Sequence, residues 1–174
     1  MGRMFFNLDD WGFLCVMRTA SKIVKLALEK KMTLAVAESC TGGLLADRLT
    51  DVPGSSDVFL AGIVSYSNRS KVEILKVSID CLQNGAVSEA VAREMASKAR
   101  KIIGSDIGVG VTGIAGPSGG SPGKPVGTVH YAIDIDGKVR VQLLNLGGSR
   151  REIKEKAVKA ILADLLVLLK KPEQ

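Results

Sequence analysis

Thr33-Leu-Ala-Val-Ala-Glu-Ser-Cys-Thr-Gly-Gly43 is the stretch whose reading decides the fold. Leu34 to Ala37 is a short apolar run that breaks into Glu38, Ser39, Cys40 and Thr41, just where helical spacing begins with Leu44, Leu45 and Leu49. This reads as a strand feeding the N-terminus of a helix. Such a junction directs unpaired backbone N–H groups and the positive end of the helix dipole at one spot, and Gly42 and Gly43 let a ligand approach the backbone closely. An ordinary N-cap at Ser39 or Thr41 reads from the same residues, and only the remainder of the chain separates the two.

Upstream, residues 1–16 show no clear periodicity and read as an N-terminal extension ahead of a single domain over 17–174. Ile23, Leu26, Ala27 and Lys30 give an amphipathic helix over Arg18 to Lys31. Downstream, Val52-Pro-Gly-Ser-Ser-Asp57 is turn chemistry, and Val58 to Tyr66 reads as a buried strand ending in Ser65, Tyr66, Ser67 and Asn68, with Lys71 close behind. If this strand lies parallel to the first, both carboxyl ends share one sheet edge, which brings Tyr66 and Lys71 towards Ser39. Lys71 to Leu75 reads as a helical turn and Asn84-Gly85 as a loop. Ser88 caps a helix over Glu89 to Ile103 that Gly104 closes.

Ile107 to Thr112 is β-branched and apolar on both faces, as a central strand covered on two sides requires. It runs into the glycine-rich segment Gly113 to Gly127, whose first part, from Thr112 through Gly113, Ile114 and Ala115 to Gly116, suits either a backbone cradle for phosphate or a surface loop. Asp136-Gly137 joins two strands, Thr128 to Asp134 and Lys138 to Asn145, as a hairpin, and His130 reads as a structural residue within the first. Ser149 to Lys170 is a long helix with a broad apolar face. The order predicts an α/β fold, a three-layer α/β/α sandwich with a mixed, mostly parallel sheet of about five strands.

Composition narrows the chemistry. With 46% hydrophobic and 24% charged residues the chain belongs with compact folded domains, and aromatic residues at 4% offer little for base stacking despite a net charge of +6, which argues against nucleic acid. Cys15, Cys40 and Cys81 suggest neither a disulfide framework nor a zinc site. A single histidine rules out a His-rich metal centre, so no metal or cofactor is expected and a nucleophile needs another base. No signal peptide or membrane span is read, and the expected location is cytoplasmic.

Four segments carry a family resemblance: Ala37-Glu-Ser-Cys-Thr-Gly-Gly43; Gly62-Ile-Val-Ser-Tyr-Ser-Asn68 with Lys71; Gly85-Ala-Val-Ser-Glu89; and Gly110-Val-Thr-Gly-Ile-Ala-Gly-Pro117 with Lys124-Pro-Val-Gly127. Together, in this order, they resemble the CinA C-terminal-domain family, whose enzymatically characterised members are nicotinamide mononucleotide amidohydrolases. The resemblance implies a CinA-like fold and catalytic roles for Ser39, Tyr66 and Lys71. It further implies a stand-alone amidase, since the larger members carry an N-terminal molybdopterin-binding-like domain that these residues do not include. The family commonly shows Gly-Asp-Arg-x-x-Ile-Arg at the start of the last helix. Here Gly148-Ser-Arg-Arg-Glu-Ile-Lys154 places Ser149 and Lys154 at the Asp and final Arg positions, and loss of bidentate geometry at Lys154 puts phosphate affinity in question.

On that resemblance, Ser39 is the expected nucleophile, Lys71 its base and Tyr66 a proton relay or oxyanion donor. Backbone N–H groups of Thr41, Gly42 and Gly43 are the expected oxyanion hole, with Thr112 to Gly116, Asn68 and Arg150 around the substrate. Glu38 is placed either on Lys71 or on the ribose, and Cys40 is a rival nucleophile weighed against a buried structural thiol. The expected partner is a pyridine mononucleotide, with self-association left open. The alternative is a non-catalytic nucleotide-binding or competence-associated protein that keeps the same pocket.

Overall fold

A computed structural model describes residues 8–83 and 85–171; residues 1–7, most of the expected extension's first half, and Asn84 of the expected loop lie outside the described residues. The elements run α1 (Leu8–Lys30), β1 (Leu34–Glu38), α2 (Leu44–Thr50), a 3-10 turn (Ser55–Asp57), β2 (Phe59–Val64), α3 (Asn68–Glu73), α4 (Ile79–Gln83), α5 (Glu89–Ile103), β3 (Ile107–Gly113), β4 (Thr128–Ile135), β5 (Lys138–Asn145) and α6 (Arg150–Leu169). The first helix therefore begins at Leu8 rather than Arg18. Residues 8–16, which sequence periodicity leaves as extension, continue the same helix. The five-residue α4 is a further element that its length hides from any periodicity test.

The sheet order is β2-β1-β3-β4-β5. β1 pairs in parallel with both β2 and β3, while β3–β4 and β4–β5 are antiparallel, so β4 alone runs against the other four strands. Chain direction reverses between β4 and β5 at Asp136 and Gly137, both with positive φ as a two-residue hairpin turn demands.

Two hydrophobic layers sandwich this sheet. On one face Leu34, Val36, Ile107, Val109 and Val111 pack with Ile23 and Ala27 of α1, Leu45 of α2 and Ile161 and Leu165 of α6. On the other, Ala35 and Ala37 pack with Leu75, Val77 and the α5 residues Val91, Met95 and Ala99. β3 separates its residues by face, with Ile107, Val109 and Val111 towards α1 and α6 and Gly108 and Gly110 towards α5. The glycines are there for room: a Cβ at Gly110 would enter the backbone of Ala92 and Ala96. This lets α5 lie directly on the strand that carries Thr112 and Gly113 to the sheet edge.

Gly110→Ala should therefore destabilise the protein by about 1–3 kcal/mol through overpacking. Chemical denaturation reads this as a lower midpoint with an unchanged slope.

Candidate functional site

The carboxyl ends of β1, β2 and β3 lie on one edge of the sheet, and β1 and β3 are neighbours although β2 separates them in sequence. That is the topological switch point at which open α/β sheets hold ligands. Ser39 follows β1 and is fixed through its N–H to the Val111 carbonyl at 3.0 Å. Ser65 follows β2 and donates its N–H to the Glu38 carbonyl at 2.8 Å. Gly113 ends β3.

Lys71 reaches this point from α3. Ser67 caps that helix with a reciprocal Ser67–Ser70 capping box, and long helical side chains lean towards the N-terminus, so Lys71 points back at the strand end it has just left. Its side chain is 1% exposed. Nζ lies 2.9 Å from Ser39 Oγ, 2.8 Å from the Ser65 carbonyl and 3.5 Å from the Tyr66 carbonyl. No carboxylate pairs with it among the described residues. Burial pushes its pKa below the ordinary lysine value, opposed only in part by the charge that Cys40 carries when ionised. Nζ donates to the Ser65 and Tyr66 carbonyls and to Ser39 Oγ; once deprotonated, the amine at the same position can accept the Ser39 hydroxyl instead.

The neighbouring Cys40 is the opposite case. It is buried within the α1–α6 core, and burial pushes its pKa up to about 11, so it is held as a thiol and not as a nucleophilic thiolate.

Ser39, Cys40, Tyr66, Asn68, Lys71, Arg150 and Thr112 through Gly116 all line one open cavity of about 270 Å³. Arg150 spans its mouth, donating to the Gly116 carbonyl at 2.7 Å and to the Tyr66 hydroxyl. The Tyr66 ring is 58% exposed and its hydroxyl is engaged by Arg150 rather than by Ser39 or Lys71. What Tyr66 offers Lys71 is its backbone carbonyl.

Four expected site residues lie elsewhere. The Glu38 carboxylate is fully buried and accepts the N–H groups of Gly43, Leu45 and Ala46 at 3.0, 3.1 and 2.8 Å. It caps α2 from the preceding strand and touches neither Lys71 nor the cavity, because three orphaned helix donors compete for it at close range. Two of the three N–H groups expected as an oxyanion hole are engaged within the turn, that of Gly43 by Glu38 and that of Gly42 by the Ser39 carbonyl at 3.1 Å. Gly42, Gly43 and Thr41 do not line the cavity, and the Thr41 hydroxyl is buried beneath the turn.

Ala86, Val87, Ser118 and Gly119 line the cavity without having been assigned a role from sequence. Ala86 was visible within the Gly85–Glu89 motif, and its carbonyl now proves to accept the Thr112 hydroxyl at 2.8 Å, tying that loop to β3. A larger groove, about 970 Å³, opens at the opposite sheet edge among Lys30, Lys31, Lys138, Arg140 and Lys171, but it brings no nucleophile to a base. His130 is half-buried in β4, away from the cavity lining. No group of three or more metal-ligating side chains occurs among the described residues. No described helix is long and apolar enough to cross a membrane.

The CinA C-terminal domain family model matches residues 17–169. The chain belongs to that family. A CinA-like protein of Chlorobaculum tepidum is 53% identical over 157 residues, which cover 87% of this chain and 37% of the relative. A CinA-like protein of Kosmotoga olearia is 48% identical over 136 residues, covering 78% and 33%. The chain thus spans about a third of the length of the curated relatives it matches. Solved CinA-family structures superpose on nearly their whole length: competence damage-inducible protein A of Klebsiella pneumoniae with a TM-score of 0.88 at 32% identity, covering 91% of this chain and 99% of that one, and a competence/damage inducible protein of Agrobacterium tumefaciens with 0.86 at 38% identity, covering 90% and 96%.

Since Glu38 holds three backbone donors of α2, Glu38→Ala should cost about 1–3 kcal/mol per donor left unsatisfied in the buried turn. The expected outcome is a large fall in unfolding temperature, measured by calorimetry, even though the side chain makes no contact with the cavity.

Proposed function

We propose that this CinA domain hydrolyses the carboxamide of nicotinamide mononucleotide to nicotinate mononucleotide and ammonia, with Ser39 as nucleophile and Lys71 as its base. The observation that carries this reading is the 2.9 Å contact between the Ser39 hydroxyl and a buried amine with no carboxylate beside it. An exposed lysine, with a pKa near ~10.4, is almost wholly protonated at neutral pH and cannot accept a proton. Lys71 is relieved of that difficulty by burial, and a bound pyridinium would add a second cation that disfavours its ammonium.

The Ser39 oxygen attacks the amide carbon as its proton passes to Lys71 Nζ. The ammonium so formed stands next to the tetrahedral oxyanion and offsets its charge. It then returns the proton to the departing nitrogen, releasing ammonia and leaving an ester on Ser39. Water, deprotonated by the same amine, cleaves the ester and frees the carboxylate product. Ala86, Val87 and Ile114 provide an apolar wall for the pyridine ring, while Arg150 with the backbone N–H groups of Ala115 and Gly116 faces the phosphate. Tyr66 acts by holding Arg150 in place rather than by relaying the proton.

Ammonia release from nicotinamide mononucleotide tests the reading directly. Ser39→Ala and Lys71→Ala should each lower kcat by orders of magnitude with folding intact, whereas Cys40→Ala should keep most of the activity. Full turnover by Ser39→Ala would remove the proposed nucleophile, and thermal stabilisation by the mononucleotide without ammonia release would favour the non-catalytic alternative.

The pH dependence has a definite sign. Only the neutral amine accepts a proton, so kcat should rise with pH through the depressed pKa of Lys71 and level off below the ordinary lysine value of 10.5. Lys71→Arg, which stays protonated throughout, should abolish that rise together with the activity.

A further inference from the structure

The Ser65 hydroxyl takes no part in holding the fold. Ser65 is fully buried just past β2, and its Oγ has no hydrogen-bond partner among the described residues. Burying an unpaired hydroxyl costs stability, so packing alone would favour alanine here. The backbone of the same residue is in full use: its N–H donates to the Glu38 carbonyl at 2.8 Å, and its carbonyl accepts the Lys71 amine at 2.8 Å. Ala37 of β1 and Ile63 of β2 pack on the α5 face of the sheet together with Leu75. Side chains alternate along a strand, so Ser39 and Ser65, each two residues further on, continue that face. The parallel register pairs Glu38 with Val64 and thereby sets Ser39 beside Ser65. Lys71, one turn before Leu75, enters from the same side with its amine 2.9 Å from the Ser39 hydroxyl. Of two neighbouring hydroxyls on this face, one is bonded to the amine and the other is idle.

We propose that Ser65 is a positioning residue for the amidase reaction: once Ser39 Oγ is bonded to the acyl carbon, the Ser65 hydroxyl accepts an N–H of the Lys71 ammonium. The inference rests on the reading of Ser39 and Lys71 as nucleophile and base. In the free enzyme Nζ has three oxygens within reach, those of the Ser39 side chain and of the Ser65 and Tyr66 carbonyls. Attack on the amide takes away the first, because an oxygen bonded to the acyl carbon is a weaker acceptor, and the acyl group fills the space from which water could replace it. The Tyr66 carbonyl, at 3.5 Å, is too distant to be a strong partner. The ammonium is thus left with one firm anchor just when it must turn from Ser39 towards the departing nitrogen. Rotation of Ser65 between staggered χ1 wells supplies a second oxygen from the residue that already holds the amine. Two N–H groups are then fixed on Ser65, and the remaining one is aimed at the departing nitrogen. Ser65 does not line the cavity, so it acts through Lys71 and not on the substrate.

Turnover and titration test this separately. With nicotinamide mononucleotide as substrate, Ser65→Ala should lower kcat about tenfold at unchanged KM, as the loss of one hydrogen bond to a charged group requires. Its unfolding temperature should not fall, since alanine removes a hydroxyl that has no partner in the resting protein. Ser65→Thr, which keeps the hydroxyl, should recover most of the rate. The titration needs no turnover. Ser39→Ala deprives the amine of its third oxygen, so in that background the Ser65 hydroxyl should serve the ammonium. Adding Ser65→Ala to Ser39→Ala should then move the titration midpoint of Lys71 to lower pH, because an acceptor favours the charged form. The midpoint is read from the carbon NMR signal of the lysine Cε that Lys71→Arg removes. A wild-type chain that releases no ammonia would end the amidase reading and leave the titration to decide on Ser65. A Ser65→Ala enzyme within about twofold of wild type in kcat, a threonine variant no faster than the alanine one, a lowered unfolding temperature, or a Lys71 midpoint that the added Ser65→Ala leaves in place would each overturn the proposal.

Discussion

Burial penalises the charged form of an amine, and no carboxylate stands beside Lys71 among the described residues to offset that penalty. Glu38, the last residue of the strand that delivers Ser39, has its two oxygens taken up by three backbone N–H groups at the start of α2. A carboxylate free to reach Lys71 would hold it as an ammonium by an ion pair and leave the Ser39 hydroxyl facing a group unable to take its proton. By capping the helix terminus, Glu38 secures the turn that presents Ser39.

The sheet makes the meeting possible. Ser39, Ser65 and Gly113 leave three adjacent parallel strands at one edge, and their positions are locked by the hydrogen bonds from Ser39 to Val111 and from Ser65 to Glu38. Lys71 lies only six residues beyond Ser65, and its amine reaches back to the Ser65 carbonyl, so α3 need only be a short, firmly capped turn. Gly108 and Gly110 let α5 approach β3 from behind, and the Ala86 loop, immediately before α5, is tied through the Thr112 hydroxyl to the end of that same strand. The apolar wall at Ala86 and Val87 is thus a consequence of close helix–sheet packing.

Much of this was legible in the residues. The other strands, the Ser88 and Gly104 caps, the Asp136-Gly137 reversal and the convergence of Ser39 with Lys71 all follow from local patterns plus the rule that parallel strands end at one edge, whereas the apolar run of β2, read as a buried strand, is an edge strand with Leu60 and Val64 exposed because nothing among the described residues pairs with its outer side. What escaped was decided by competition between partners, which a sequence does not display. Glu38 could be placed near the site but not assigned to the α2 N–H groups, since that choice depends on how sharply the chain turns at Gly42 and Gly43, both with positive φ. The Arg150–Tyr66 contact joins residues 84 apart, and no periodicity reports it. α1 begins earlier than expected because a helix continues past the end of its clear amphipathic pattern.

The two departures from the family's usual last-helix motif illustrate the same point in reverse. Ser149 caps α6 with its hydroxyl on the Glu152 N–H while the Glu152 carboxylate accepts the Ser149 N–H, so serine fulfils the role that an aspartate would at an N-cap. Lys154 lies beneath the Ser39 turn, its Nζ 3.5 Å from where a Cβ on Gly42 would sit, and it does not line the cavity. A concern about phosphate affinity based on its lost bidentate geometry therefore has no contact to act through. Its charge acts on Cys40, where it slightly favours the thiolate while burial prevails and keeps the thiol protonated. The cation that does stand at the cavity mouth is Arg150, one turn earlier on the same helix, and there the planar guanidinium is retained with one nitrogen on the Gly116 carbonyl and another on the Tyr66 hydroxyl.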